Sequence, residues 1–215
     1  MHWTRADGAG KPQPLLQGRA TLLPNSFTPD GTRLVFSEGA PDGAEIRTVT
    51  VENRSGQLHA GEPQLFLKTA TAIPLPDFSP DGKWLAYNDA EGGGYEVYVR
   101  AFPDNATKVQ ISNAGGLMPM WSRTQLFYRT EDQRIMVADY TVKAGVFLPE
   151  KPRLWSGMKL ADIGIAINLD LAPDGKRFIA LLPAEAAEPR ERQSHVTVVV
   201  NFLDEVRRRV AGQGK

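Results

Sequence analysis

The sequence predicts an all-β fold, a β-propeller of four-stranded antiparallel blades, and three observations support this fold class. A short turn motif recurs, opened by an apolar residue at positions 27, 78, 121 and 171. The spacing of 43 to 51 residues between successive copies is typical of one propeller blade. The 20 Gly and 16 Pro residues indicate many tight turns, and the short strands between those turns leave no room for crossover helices.

The recurring motif ends in Pro-Asp-Gly. Its copies are Phe27-Thr28-Pro29-Asp30-Gly31, Phe78-Ser79-Pro80-Asp81-Gly82 and the weaker Leu171-Ala172-Pro173-Asp174-Gly175. Trp121-Ser122-Arg123 fills the corresponding place in another repeat, where the Asp-Gly pair is missing and the turn is shortened. Gly accepts the positive φ that such a turn requires, and the Asp side chain bonds the turn backbone. Because the motif is needed once per blade, we interpret these residues as structural.

Each motif copy precedes further short strands. Second strands are predicted at 34–36, 84–87, 126–128 and 178–181, third strands at 45–51, 95–102, 135–140 and 196–202, and fourth strands at 64–67, 109–112 and 152–155. The four blades therefore extend over about 22–67, 73–112, 117–156 and 163–202. Residues 1–17 are interpreted as the last two strands of a preceding blade, so that 1–203 form one propeller region.

Residues 204–215 are predicted to form a short basic helix or tail after the last strand. Four blades lie at the low end for a closed ring, and propellers often close by completing a blade with the other terminus. The sequence is thus expected to be the C-terminal part of a six- to eight-bladed propeller. Open blade edges would allow a homodimer.

Whole-chain composition excludes several functional classes. Lys plus Arg and Asp plus Glu are equal at 25 each, so no net field attracts nucleic acid or an anionic membrane. The absence of cysteine excludes disulfides, thiolate metal sites and cysteine nucleophiles. Apolar stretches such as 196–200 are far shorter than the ~20 residues of a membrane helix, so no membrane segment is predicted.

No motif for chemistry stands out. Gly-x-Ser-x-Gly does not occur, and the three histidines lack ligand spacing. Asp77-Phe78-Ser79 echoes a kinase motif only superficially, since it lies within a repeat. We therefore predict no catalytic residues, no cofactor-binding residues, no cofactor and no metal ligands.

A family resemblance is carried by residues 78–87, Phe-Ser-Pro-Asp-Gly-Lys-Trp-Leu-Ala-Tyr, and by residues 95–103, Tyr-Glu-Val-Tyr-Val-Arg-Ala-Phe-Pro. These segments resemble the WD-like repeat of TolB-type propellers. Residues 110–128, with Gln-Ile-Ser, Gly-Gly, Pro-Met-Trp-Ser and Leu-Phe-Tyr, are similar to propeller regions that follow bacterial serine/threonine kinase domains. The resemblance implies a sensor or scaffold region, and no kinase activity can be carried over to these residues.

The expected function is a non-catalytic module that binds a protein or peptide partner, and not an enzyme. The alternative is the propeller portion of a hydrolase, either gating a peptidase or holding a lactonase-like site. A lactonase-like site would need acidic and amide side chains that converge near the central channel, and no such cluster is visible in the sequence. A third alternative is a truncated product without an independent role. The location is extracytoplasmic if the parent is membrane-anchored, and otherwise cytoplasmic.

Overall fold

The computed structural model describes residues 1–164, 166–172 and 175–184. Within these ranges all regular structure is β, in antiparallel sheets, and no helix occurs. The predicted all-β fold class is thereby confirmed. The chain divides into two compact units, Met1–Pro183 and Ala184–Lys215. The predicted strand at 196–202, the predicted helix at 204–215, and Pro173 and Asp174 lie outside the described residues.

The first sheet is a pair of very short strands, β1 (His2–Trp3) and β2 (Gln13–Pro14). The ammonium group of Met1 donates a hydrogen bond to the carbonyl oxygen of Leu16 at 2.7 Å. Met1 and Leu16 also pack against the apolar cluster of the following blade. This segment therefore lies against the sheet that follows it.

The first complete blade contains an extra strand. Its strands are β3 (Leu22–Phe27), β4 (Arg33–Ala40), β5 (Gly43–Arg54), β6 (Gln57–Ala60) and β7 (Gln64–Thr69). The first half of β5 pairs with β7, and its second half pairs with β6. The third strand thus runs beyond the predicted 45–51, and the hairpin that it forms with β6 extends outside the four-stranded sheet.

The second blade has four strands in sequential order. They are β8 (Asp77–Phe78), β9 (Trp84–Asp89), β10 (Glu96–Ala101) and β11 (Lys108–Gln110). All six residues of β9 are buried. A strand buried on both faces indicates that further layers cover the sheet on each side.

The third blade repeats the extra hairpin of the first. Its strands are β12 (Leu117–Trp121), β13 (Gln125–Arg129), β14 (Ile135–Lys143), β15 (Val146–Pro149) and β16 (Arg153–Ser156). The strand β14 pairs with both β15 and β16. The next hairpin consists of β17 (Leu169–Leu171) and β18 (Phe178–Ala180).

The core consists of apolar layers between neighbouring blades. Side chains alternate along β9, so that Leu85 and Tyr87 pack against the first blade, while Trp84 and Ala86 pack against the third. A separate cluster around Phe127 joins the third blade to β17 and β18. Each large apolar side chain buried in this way contributes about 2 kcal/mol to stability. Blade-to-blade packing therefore fixes the position of each sheet.

Candidate functional site

Pro29-Asp30-Gly31 and Pro80-Asp81-Gly82 lie in the turns between the first and second strands of their blades. Oδ1 of Asp30 accepts a hydrogen bond from the Thr32 backbone at 3.0 Å. Oδ1 of Asp81 accepts one from the Lys83 backbone at 3.1 Å. The glycines of these turns have positive φ, at 70° for Gly31, 68° for Gly82 and 66° for Gly175. We propose on these contacts that the motif residues hold their own turns.

A hydroxyl group accompanies the aspartate in the first two motif turns, whereas the third copy has Ala172 at that place. Oγ of Ser79 accepts from the Trp84 backbone at 3.0 Å, and Oγ1 of Thr28 accepts from the Arg33 backbone at 3.1 Å. In the shortened third turn, Oγ of Ser122 accepts from the Gln125 backbone at 3.1 Å. The serine therefore closes that turn without the Asp-Gly pair.

Turns of successive blades also touch each other. A Cβ atom on Gly82 would lie 3.2 Å from Cδ of Pro29, and one on Gly175 would lie 2.8 Å from Cβ of Ser122. Pro29 and Pro80 themselves are exposed. The described turn residues thus contact their own backbone and the neighbouring turns.

The candidate site is instead a cavity over the first strands of the blades. The strands β3, β8, β12 and β17 lie side by side in that order, as the innermost strands of a propeller do. A cavity of about 230 Å³ borders all four strands. It is lined by Pro24, Asn25, Leu75, Pro76, Asp77, Met118, Pro119, Met120, Ile167, Leu169 and Asp170. We name it the inner-strand cavity.

Asp77, on β8, is one of the two acids that line this cavity. The pKa of its carboxyl group is raised to about 6, mainly by burial and to a smaller extent by the negative charge of Asp170. Hydrogen bonds from the Ser26 hydroxyl and from the Trp121 and Phe78 backbones act in the opposite direction. Because its pKa is about 6, Asp77 gains or loses its proton around this pH, where an ordinary aspartate is fully ionised.

The two other polar groups of the cavity differ in exposure. Asp170 is exposed on β17, and Asn25 is half-buried on β3. Oδ1 of Asn25 accepts a hydrogen bond from the Ser37 hydroxyl at 3.1 Å. Its amide nitrogen has no partner within the described ranges. The cavity thus presents two carboxyl groups and one amide donor.

Sequence reasoning missed this cluster, although a signal for it exists. Asp77 and Asp170 both stand immediately before the apolar residue that opens the repeat motif, and Ser26 occupies the same place in the first blade. Equivalent positions on inner strands face one common axis, so polar residues there are brought together. No acidic and amide cluster was visible in the sequence, whereas Asn25, Asp77 and Asp170 line one cavity in the structure.

The described part of the chain shows neither a group of metal ligands nor a membrane-spanning helix. Among residues 1–164, 166–172 and 175–184, no three His, Asp or Glu side chains are grouped closely enough to hold a metal ion. In the same part of the chain, no helix is long and apolar enough to cross a bilayer.

Comparisons with known proteins give the fold. No family model matches the chain, and no curated protein matches it. The "putative 6-phosphogluconolactonase" of Bacteroides uniformis ATCC 8492 is similar in structure, with a TM-score of 0.51 at 18% identity over 84% of this chain and 56% of that one. This likeness shows the propeller fold and nothing about activity.

Two TolB structures are less similar. The "putative TolB" of Agrobacterium tumefaciens has a TM-score of 0.49 at 16% identity, covering 67% of this chain and 54% of that one. TolB of Acinetobacter baumannii has a TM-score of 0.34 at 14% identity, covering 68% and 47%. The chain spans about half the length of these solved structures. The kinase-associated setting implied by the family resemblance stays a prediction.

Proposed function

We propose that this chain is a non-catalytic binding module that holds a basic side chain of a peptide or protein partner in the inner-strand cavity. The observation that carries the proposal is the convergence of Asp77 and Asp170 on one cavity. In the setting implied by the family resemblance, the module is the sensor or scaffold region of a signalling protein such as a membrane-anchored serine/threonine kinase.

Electrostatics favours a cationic ligand. The ionised form of Asp77 is disfavoured by burial and by the charge of Asp170. An ammonium or guanidinium group placed between the two carboxylates removes their mutual repulsion and donates hydrogen bonds to both. Binding of a cation therefore lowers the pKa of Asp77 and stabilises its ionised form.

The cavity walls suit the stem of a long basic side chain. Leu75, Met118 and Met120 supply apolar surface beside the carboxyl groups. Lys and Arg combine an apolar stem with a charged end, so one side chain can satisfy both parts of the cavity. Methionine side chains adapt to ligands of differing shape. A peptide is favoured over a compact ion because only the former fills the apolar part.

The test is a binding titration with labelled peptides and the 215-residue chain. A short peptide with one central lysine is compared with the same peptide carrying norleucine, which keeps the stem and removes the charge. We expect the lysine peptide to bind at least about tenfold more tightly, equivalent to one charge-assisted contact. Equal binding of the two peptides would overturn the proposal.

Variants locate the binding to this cavity. Asp77→Asn removes the buried charge and keeps the side-chain shape, so it should abolish the preference for lysine. Asp42→Asn is the matched control, because Asp42 is an exposed hairpin residue outside the cavity. A preference for lysine that survives in Asp77→Asn and Asp170→Asn would place the peptide elsewhere and contradict the proposal.

A second candidate function is hydrolysis within the same cavity. The observation that favours it is the Asp77 pKa of about 6 beside a second carboxyl group, because a general acid or base works best with a pKa near the working pH. One similar structure is described as a "putative 6-phosphogluconolactonase", so a sugar lactone is the substrate to try. Lactone hydrolysis that requires Asp77 would establish this function, and a rate equal to that of buffer would exclude lactones.

A further inference from the structure

A second cavity, of about 280 Å³, lies between the second and third blades. We name it the Arg129 cavity. Most of its wall is apolar, with Ile73, Leu75, Leu117 and Met118 on one side and the half-exposed ring of Tyr95 among them. It shares Leu75 and Met118 with the inner-strand cavity and none of that cavity's polar groups. Its single cationic lining residue is Arg129.

Arg129 is a buried cation that has no ion-pair partner among the residues the structure describes. Its residue surface is only 3% exposed. Nη1 donates a hydrogen bond to Oε1 of Gln133 at 3.2 Å, and Nη2 donates a long one of 3.4 Å to the carbonyl oxygen of Gly164. The Nε–H group is buried and has no acceptor within residues 1–164, 166–172 and 175–184. No carboxylate lies within 4 Å of the guanidinium in the part of the chain that the structure describes.

Such an arrangement is costly unless a ligand completes it. An arginine stays protonated in proteins, so it cannot escape burial by losing its charge. An unmade hydrogen bond of a buried charged group costs about 1–3 kcal/mol. A carboxylate matches the guanidinium geometry and can accept two of its N–H groups. The guanidinium group in this cavity therefore suits a carboxylate ligand.

The guanidinium is held in place by its neighbours. Oε1 of Gln133 also accepts a hydrogen bond from Nδ2 of the buried Asn168, at 3.1 Å. The backbone carbonyl of Gln133 accepts from the Leu160 backbone at 2.8 Å. These contacts hold Gln133, which in turn orients Arg129. Little conformational entropy of the site is therefore lost when a ligand binds.

Nearby acids restrict the ligand to a single negative charge. Glu131 lines the same cavity, and Asp162 is close enough for its charge to act on Arg129 without forming an ion pair. A dianion such as a phosphate monoester would be repelled by both acids. A monocarboxylate meets less repulsion, and its apolar body can contact the surrounding aliphatic wall.

We infer that the Arg129 cavity binds a small monocarboxylate with an apolar body, its carboxylate paired with Arg129 and its apolar part against Ile73, Leu117 and Met118. This site is separate from the binding function proposed for the inner-strand cavity. The ligand class follows from a buried unpaired cation in an apolar cavity.

The experiment compares 4-phenylbutyrate with its amide, 4-phenylbutyramide, by calorimetry and by ligand-observed NMR on the 215-residue chain. The two probes share one apolar body and differ in the charge that Arg129 would recognise. We expect one saturable site for the acid and at least about tenfold weaker binding of the amide. Equal affinities, or no saturable binding of the acid up to its solubility limit, would overturn the inference without any variant.

Two variants and a control assign the site. Arg129→Gln should lose the preference for the acid, whereas Arg100→Gln should keep it. Arg100 is a matched control because it is a partly buried arginine, bonded to the hydroxyl of Tyr87, outside this cavity. Asp77→Asn should also keep the preference, which separates this site from the inner-strand cavity. An acid preference that persists in a folded Arg129→Gln variant would contradict the assignment.

Discussion

At the scale of single residues, Asp77 links the stability of the fold to the proposed binding. Its pKa is raised to about 6 in the folded protein, chiefly by burial, and returns to an ordinary value near 4 on unfolding. Between these two values the folded state holds the proton more firmly than the unfolded state. The free energy of unfolding therefore falls as the pH rises through this window and stays lower above pH 6.

Replacing Asp77 by Asn should stabilise the protein at neutral pH. The neutral amide avoids the desolvation of the carboxylate, and we expect a gain of about 1–2 kcal/mol at pH 7.5. The gain should disappear near pH 4, where the folded wild-type protein is protonated at this position. Urea unfolding at the two pH values measures it, with Asp42→Asn as the control. A loss of stability at pH 7.5 would mean that hydrogen bonds to the ionised carboxylate outweigh the free-energy cost of burying it.

The affinity for a basic peptide should depend on pH, and the protonation of Asp77 should determine whether it rises or falls. The ionised form of Asp77 attracts the cation, so affinity should be highest above pH 6 and fall as the pH drops below it. We expect a decrease of about tenfold between pH 7.5 and pH 5. Anisotropy titrations of the lysine peptide at several pH values provide the measurement, with the norleucine peptide as the baseline. Affinity that rises in acid would contradict the role of Asp77.

At the scale of structural elements, the motif turns act both on their own hairpins and on the neighbouring blade. Gly31 and Gly175 have nearly the same positive φ, 70° and 66°. A Cβ atom on Gly31 would meet nothing within 4 Å, whereas one on Gly175 would lie 2.8 Å from Cβ of Ser122. Comparing substitutions at the two positions therefore distinguishes the cost of backbone strain from the cost of a clash with the neighbouring blade.

The Gly31→Ala variant should lose about 1 kcal/mol of unfolding free energy, the cost of a left-handed conformation for a residue with a side chain. The Gly175→Ala variant should lose about 2–4 kcal/mol, because the new methyl group also displaces the Ser122 turn. Chemical denaturation of both variants measures the difference. Equal losses would show that a methyl group at position 175 does not clash with the turn of Ser122.

The extra hairpins of the first and third blades follow from strand length. The strands β5 and β14 continue past the sheet that holds their first halves, and their far ends need partners for their backbone groups. The turns after β5 and β14 include Gly56 and Gly145, with φ of 84° and 78°, which allows β6 and β15 to fold back. The sequence signal was present in these glycines, although the strands were predicted to end earlier.

At the scale of the whole molecule, the homodimer predicted from open edges stays a prediction. Large apolar side chains are exposed on and after the hairpin of β17 and β18, including Ile179 at 79% and Leu182 at 49%. If this surface pairs two copies, Ile179→Glu should shift the equilibrium towards monomer, because a buried charge opposes association. Sedimentation equilibrium over a range of concentrations measures it. A monomeric wild-type chain at all concentrations would refute the dimer.

The sequence alone determined the blade repeat and its turn chemistry. The period of the motif, the Asp-Gly pairs and the alternation of residues such as Leu85 and Tyr87 with Trp84 and Ala86 are local patterns, and local geometry fixes what they form. The residue next to the motif also recurs as an acid at Asp77 and Asp170. That recurrence has no visible consequence until the inner strands are placed side by side.

Only the tertiary structure decided which polar groups share a cavity. Asn25, Asp77 and Asp170 come from three different blades, and their convergence depends on the packing of one blade on the next. Whether Arg129 has a partner likewise depends on distant segments, since Gly164 accepts one of its hydrogen bonds and Asn168 bonds its neighbour Gln133. No carboxylate lies within 4 Å of it in the described residues. Strand periodicity acts over a few residues, whereas burial and charge pairing depend on neighbours that are far apart in the chain.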